Sequence, residues 1–282
     1  MKNNRIKNIL KHEKPLKFLI SRFLIRTNLC KLIIIKQKNY ILRFHPIPFL
    51  GNLWIDSNYK HTANIFFSDY LKNGDKVIDI GANIGAVTLE CAKHIGDIGK
   101  IYSIEPHPSI YNFLEDNIKL NNLSNFEIFN YALGDKNGFT FLTDKRSDDQ
   151  NEITEINGIR VPIKKLDNLI INEDDIDLII LDAIGYEKFI IDGGYQTFLH
   201  SKCIHFPVLE KFFKNYGYSY IDIFKKLEDL GFSIYEFTEN HTIKLIPKNY
   251  HPDENSLITD LLAIRNLSDF LDRTKYTIIN ST

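Results

Sequence analysis

Cysteine is scarce. The 282 residues hold three, Cys30, Cys91 and Cys203, odd in number and far apart. That pattern excludes a disulfide framework and fits a reduced, cytoplasmic compartment. The nine histidines are dispersed as well, so no zinc cluster is expected and metal-independent chemistry is predicted. No apolar run reaches the length of a membrane-spanning helix. Nor does the start show a small-residue cleavage pattern behind a clean apolar run, which argues against secretion. Acids are nearly missing from one stretch: residues 1–43 carry twelve Lys or Arg and a single acid, Glu13. Because the whole chain has a net charge of -1, the remainder is acidic, which disfavours a nucleic-acid partner.

Two readings of the basic start stay open. It is either a solvated arm or a contact for an anionic membrane surface or another polyanion. The second follows from "KFLISRFLIRTNLCKLIII", which mixes cations with large apolar side chains. With 44% hydrophobic residues the chain can bury a large core. The simplest organisation is an extension over residues 1–66 and one domain over 67–282.

From Lys76 the pattern is regular. "KVIDI", "KIYSIEP", "FEIFNYAL", "DIDLIILDA" and "CIHFPVLE" read as strands. They alternate with helical stretches such as "IGAVTLECAKHI", "SIYNFLEDNIKLNNL", "EKFIIDGGYQTFL" and "SYIDIFKKLEDLG". Upstream, "YILRF" predicts a strand, "PIPFLGN" a turn and "TANIFFSDYL" a helix. Two short strands are expected around a polar loop at 143–157. "FSIYEFTE" and "DLLAIR" are expected to close the sheet as late, antiparallel strands. Alternation at this spacing predicts an α/β fold with a mostly parallel twisted sheet, a late antiparallel strand and helices on both faces.

The turn "DIGANIG" places Gly81 just after the first strand and Gly85 at the start of a helix. A side chain at Gly81 would hold the backbone away from a ligand lying over the strand end. Such glycines also merely relieve crowding, and the pair alone does not decide. A dinucleotide motif wants glycine where Asn83 stands, and a phosphate-binding loop wants Gly-Lys-Ser or Gly-Lys-Thr where "GAV" follows. Asp79 beside the mouth suits a cationic cofactor without phosphates, a description that S-adenosylmethionine meets. Glu105, ending the second strand, is placed to accept ribose hydroxyl hydrogen bonds. Asn130 and Ala132, after the third strand, are placed to border an adenine ring, although Asn130 also serves as a plain turn former.

The ordered blocks "VIDIGANIG", "SIEPHPSIYNFLEDNIKLNN", "NYALGD", "KKLDNLI" and "DLIILDAIGYEKFIIDGG" resemble the FkbM family of S-adenosylmethionine-dependent methyltransferases, over roughly two thirds of the chain. The resemblance implies a Rossmann-like class I methyltransferase fold. It also implies O-methyl transfer, often to a sugar hydroxyl of a glycan or glycoconjugate, with Asp79, Gly81, Asn83, Gly85, Glu105 and Asn130 around the cofactor. The family pattern has a lysine two residues before the strand-end aspartate and an acid just before the glycine. Here Ile180 and Ile184 stand there, around Asp182, Gly185 and Glu187. That exchange predicts a drier pocket, or an altered acceptor such as a polyketide, lipid or amide, or a scaffold that no longer catalyses.

Methyl transfer to an unactivated hydroxyl needs alignment and a proton acceptor. Asp182 is the first candidate base, Glu210 the second and His107 the third. Each could instead be a polar residue at a strand exit meeting water. Glu187 is expected to open the next helix, where a negative charge is favourable. The basic start, if it meets lipid, would hold the protein at the inner membrane face.

Overall fold

The computed structural model describes residues 14–57, 64–144, 151–154, 158–169, 175–239, 241–247, 250 and 259–279. The first part of the basic start, residues 1–13, and most of the polar loop expected at 143–157 lie outside these.

The chain opens with helix α1 (Pro15–Thr27), a 3-10 turn at Leu29–Leu32, the hairpin β1 (Ile34–Lys36) and β2 (Ile41–Arg43), and helices α2 (Pro48–Ile55) and α3 (Asn64–Tyr70). Alternation follows: β3 (Lys76–Ile80), α4 (Ala86–Ile95), β4 (Lys100–Ile104), α5 (Pro108–Leu120) and β5 (Phe126–Phe129). Four short strands come next, β6 (Ala132–Leu133), β7 (Gly138–Leu142), β8 (Ile153–Thr154) and β9 (Ile159–Lys164). Then come β10 (Ile176–Leu181), α6 (Glu187–Gly193), α7 (Tyr195–Leu199), β11 (Ser201–Val208), α8 (Glu210–Asn215) and α9 (Tyr220–Asp229). The chain closes with β12 (Ser233–Thr238), β13 (Thr242–Leu245), β14 (Thr259–Ile264), α10 (Leu267–Arg273) and β15 (Thr277–Ile279).

The main sheet has the order β15-β13-β12-β14-β11-β10-β3-β4-β5. Strands β11, β10, β3, β4 and β5 are parallel neighbours, and β14 enters antiparallel between β11 and β12. Two consecutive antiparallel pairings turn β12 back to the direction of β11. Thus only one of the two late strands expected to be antiparallel, β14, runs against the parallel set. Every residue of β10 is buried, as a central strand covered on both faces requires. One face carries Ile78, Ile80 and Ile104 against Ile190 of α6, Phe198 of α7 and Ile223 of α9. The other carries Val77, Ile101 and Leu178 against Phe67 of α3, Cys91 of α4 and Phe270 of α10.

Three further expectations are corrected. "PIPFLGN" is not a turn but the start of α2, with Pro48 at the first helical turn, where its missing N–H costs nothing. "FEIFNYAL" is not one strand: Phe126–Phe129 joins the main sheet, while Ala132–Leu133 pairs in parallel with β9 in a second sheet ordered β6-β9-β7-β8. That second sheet also replaces the two strands expected around the polar loop by three.

The basic segment is bolted to the body by two asparagines, Asn117 of α5 and Asn121 at its C-cap. Asn117, fully buried, accepts the Arg43 N–H at 2.8 Å and donates to the Ile84 carbonyl at 2.9 Å. Asn121 accepts the Ile41 N–H at 2.9 Å and donates to the Ile41 carbonyl at 2.7 Å. Leu42, Phe44, Ile47 and Leu50 share a core with Ile84, Leu89, Ile110 and Leu114.

Candidate active site

The sheet reverses its winding at β3: the chain moves outward to β4 and β5 on one side and to β10 and β11 on the other. In such folds the crevice beyond the carboxyl ends of the strands at this point receives ligands. The register decides which residues meet there. Ile80 pairs with Ile104 and with Leu181. The ladder runs one step further: the Gly81 N–H donates to the Ile104 carbonyl and the Asp182 N–H to the Ile80 carbonyl, both at 3.0 Å. Gly81, Glu105 and Asp182 therefore leave three adjacent strands side by side.

A cavity of about 300 Å³ opens at this end. Asp79, Gly81, Asn83, Glu105, His107, Ala132 and Asp182 all line it. Gly85, Asn130 and Glu210 do not appear in its wall, and each has another task. Gly85 precedes α4 at φ +87°, and a Cβ there would fall 2.6 Å from Leu114 Cδ1 of α5. Asn130 donates from Nδ2 to the backbone carbonyls of Glu105 (2.9 Å) and Pro106 (3.2 Å), fixing the exit of β4 rather than bordering the cavity. Glu210 accepts the Tyr220 N–H at 2.9 Å and pairs with Lys214 at 3.8 Å, joining α8 to α9.

Gly81 is demanded by the protein's own backbone. Its φ is +83°, and a Cβ would fall 1.9 Å from the Asp182 carbonyl oxygen, where no side chain fits. Asn83 takes φ +51°, a conformation asparagine tolerates, and its Oδ1 accepts the Ile84 N–H at 2.7 Å. Glu105 is buried, and its two carboxylate oxygens are aimed by the backbone. Oε2 accepts the Asn83 N–H at 3.0 Å and Oε1 the His107 N–H at 2.8 Å. Each oxygen can accept a second bond.

Asp79 is almost fully buried and accepts the Thr88 hydroxyl, which also meets Ser103 Oγ at 3.2 Å. Burial pushes its carboxyl up to about 6, with the Asp182 charge adding to the rise and the Thr88 bond opposing it. Asp182 lies exposed at the same end. Among the described residues, neither ring nitrogen of buried His107 has a hydrogen bond, and Nε2 lies 3.6 Å from Asp144 Oδ1. Buried polar atoms normally find partners, so His107 is a group that a bound molecule could satisfy.

Glu187 does open α6, and its Oε1 accepts the Ala183 N–H at 3.0 Å. Its complete burial was not legible in the sequence. Burial pushes it up to about 7, the backbone bonds opposing that rise and Asp182 adding to it. Ile184, in the turn between Asp182 and Glu187, has φ +48°. A β-branched residue in that region is strained, and here it lines the cavity, as does Ile180.

Sequence reasoning missed the rest of the wall. Gln37, Tyr40, Phe49 and Leu53 come from the basic segment, Leu142 and Ile153 from the second sheet with Asn151 just before its β8, Tyr131 from the exit of β5, and Tyr186 from the cap of α6. Tyr186, next to the positive-φ pair Ile184–Gly185, had a local signal. The others reach the cavity through tertiary packing alone.

Among solved structures, the chain is similar to M. jannaschii TYW2 in complex with AdoMet, at 18% identity over 82% of this chain and 83% of that one, with a TM-score of 0.43. It is also similar to P. horikoshii TYW2 in complex with MeSAdo, at 17% identity over 90% and 85%, TM-score 0.45. Aeropyrum pernix fibrillarin in complex with S-adenosyl-L-methionine gives 12% identity over 72% and 74%, TM-score 0.41. These likenesses are distant and say nothing of the acceptor. No curated protein matches the sequence. The family model described as the methyltransferase FkbM domain matches residues 79–234, from the β3 carboxylate to β12 and more than half of the chain. With Asp79, Glu105, His107 and Asp182 of the strand-end cavity lying within the span matched, the chain belongs to the FkbM methyltransferase family.

Proposed function

We propose that this methyltransferase uses S-adenosylmethionine to methylate a hydroxyl group, on a sugar of a glycan or glycoconjugate, in a reducing, cytoplasmic compartment. The observation that carries the reading is the meeting of Asp79, Glu105 and Asp182 in one cavity with His107. A carboxylate buried as deeply as Asp79 is costly without a cation nearby, and a sulfonium or ammonium group would relieve that cost. Glu105, held by two backbone N–H groups, would grip the ribose hydroxyls, and Ala132 leaves room for a flat base. The backbone of Gly81 and Asn83 would border the same ligand, while Gly85 and Asn130 support the turn and strand exit around it. The cofactor supplies an electrophilic methyl group.

Asp182 is the proton acceptor in this scheme: exposed at the cavity, it can take the hydroxyl proton of the acceptor. His107 is the second candidate. Glu210 falls out of the scheme, since its carboxylate is engaged between α8 and α9. The apolar wall of Phe49, Leu53 and Tyr186 would hold water away from the reacting oxygen. That wall is also what favours a second reading, a lipid or polyketide acceptor, because Leu142, Ile153, Ile180 and Ile184 are apolar around it. The three cysteines are free and buried, which supports the reducing compartment.

Calorimetric titration with S-adenosylmethionine tests the cofactor assignment. Binding should be measurable and should weaken by about tenfold or more in Glu105→Gln, the worth of charge-assisted hydrogen bonds to two hydroxyls. Asp182→Asn should keep that binding and lower kcat on the order of 10²–10⁴-fold. No binding by the unaltered protein would leave the scaffold reading standing. Turnover of long-chain alcohols but not of saccharides would replace the sugar by a lipid.

A further inference from the structure

Helix α1 presents an apolar stripe to the outside. Leu16, Leu19, Ile20 and Phe23 stand at the i, i+3, i+4, i+7 spacing, within an arc of about 100°. That stripe ordinarily faces a core. Here these side chains are 70%, 48%, 39% and 60% exposed. The opposite side of α1 is the packed one: Ser21 is buried, and Ile25 lies so close to α2 that a Cβ on Gly51 would fall 3.0 Å from its Cδ1. Leu29 and Leu32, in the turn that follows, are 46% and 81% exposed.

The charges around the stripe have one sign. From Lys14 to Ile55 the sequence holds eight Lys or Arg and no Asp or Glu. On the helix wheel Lys17 flanks one side of the stripe, and Arg22 and Arg26 the other. Two acids of the body reach this segment on its packed side: Asp116 of α5 is taken up by Arg43 at 2.7 Å, and Glu90 of α4 accepts from Asn39 Nδ2 at 2.7 Å. No helix among the described residues is long and apolar enough to cross a membrane.

We infer that α1 lies flat on an anionic lipid surface, its Leu16–Phe23 stripe among the acyl chains and its cations at the headgroups. An apolar stripe framed by Lys and Arg is the chemistry of an interfacial helix. A second copy of this chain fits the face poorly, because it would bring cations against cations. A nucleic acid would satisfy the charges and leave the leucines and phenylalanine in water.

The test is co-sedimentation of the full chain with vesicles of phosphatidylcholine alone and of phosphatidylcholine with phosphatidylglycerol. Binding should require phosphatidylglycerol and weaken as salt is raised. Leu19→Glu with Phe23→Glu should abolish it. Arg22→Gln and Arg26→Gln should each lower it on the order of fivefold. Circular dichroism and S-adenosylmethionine titration should stay unchanged in these variants, since the altered side chains lie outside the cavity. A full chain that ignores anionic vesicles overturns the inference, as does binding that survives both glutamates. A dimer in solution that those glutamates split, without vesicle binding, would make the stripe a protein interface instead.

Discussion

The two ends of the central strands hold the same kind of residue in opposite settings. At the amino ends, the acids are met by cations. Asp177 pairs with Lys202 at 2.9 Å and with Arg273 at 3.3 Å, and Arg273 also bonds Asp75 and lies over the Tyr70 ring at 4.5 Å. Burial pushes Asp177 upward, yet Lys202, the Lys76 N–H and Arg273 outweigh it and leave the carboxyl below its ordinary range. At the carboxyl ends, Asp79 and Glu187 are held up at about 6 and about 7, chiefly by burial, with the Asp182 charge adding to each rise. The difference teaches where the protein tolerates cost. One end is met by cations from within, although burial and the Asp177 charge still hold Asp75 above its ordinary range, and it holds the fold. The other is left acidic, strained at Ile184 and, among the described residues, without a hydrogen bond on the His107 ring, and can be completed by a cationic ligand.

Breaking the neutralised end should have the largest effect on stability. Arg273→Met strips Asp75 of its cation and should lower the unfolding free energy by about 4 kcal/mol in urea titration. Methyl transfer per folded molecule should be unchanged. Loss of turnover at full stability would mean that the two ends do not divide their work in this way.

The acidic end should show itself in pH dependence. The folded pKa of Glu187 is raised, so the stability tied to its protonated form is full below about pH 4 and is lost as pH rises through about 7, roughly 3 kcal/mol in all. Asp177, depressed, works in the opposite sense and loses its contribution as pH falls. Glu187→Gln keeps an acceptor for the Ala183 N–H but does not titrate. In denaturant titrations at about pH 5 and about pH 8 it should gain on the unaltered protein only at the higher pH. An equal effect at both would detach Glu187 from the acidic cluster.

The smallest effect is expected at Ile184. Glycine accepts φ +48° without a clash, so Ile184→Gly should raise the melting stability by about 1 kcal/mol. Methyl transfer should fall at the same time, because a cavity wall is lost. A destabilised variant would show that the isoleucine's packing outweighs its strain.

The fold class and family were legible because strand, glycine turn and helix follow one another in short local patterns. "KVIDIGANIG" and "DLIILDAIGYE" announce two strand ends without help from the rest of the chain. Helix α2 was not legible. Gly51 and the two prolines of "PIPFLGN" look like a turn locally, whereas Gly51 is there to let α1 approach. The directions of β12 and β14 were not legible either, since an apolar strand reads the same whichever way its neighbour runs. Of the candidate site, Asp79, Glu105, His107 and Asp182 could be named from their places at strand exits. Glu210 shares that position and lies elsewhere, because β11 ends at Val208 and the chain has already turned into α8.

The sequence by itself determined the alternation, the strand-end acids and the one-signed charge of the first segment, all of which are set by neighbours a few residues apart. Only the tertiary structure decided which acids share a cavity, that Gly81 yields to the Asp182 carbonyl, and that Tyr40, Phe49 and Leu53 wall the site. Those contacts join residues far apart along the chain, and strand register and packing, not local pattern, bring them together.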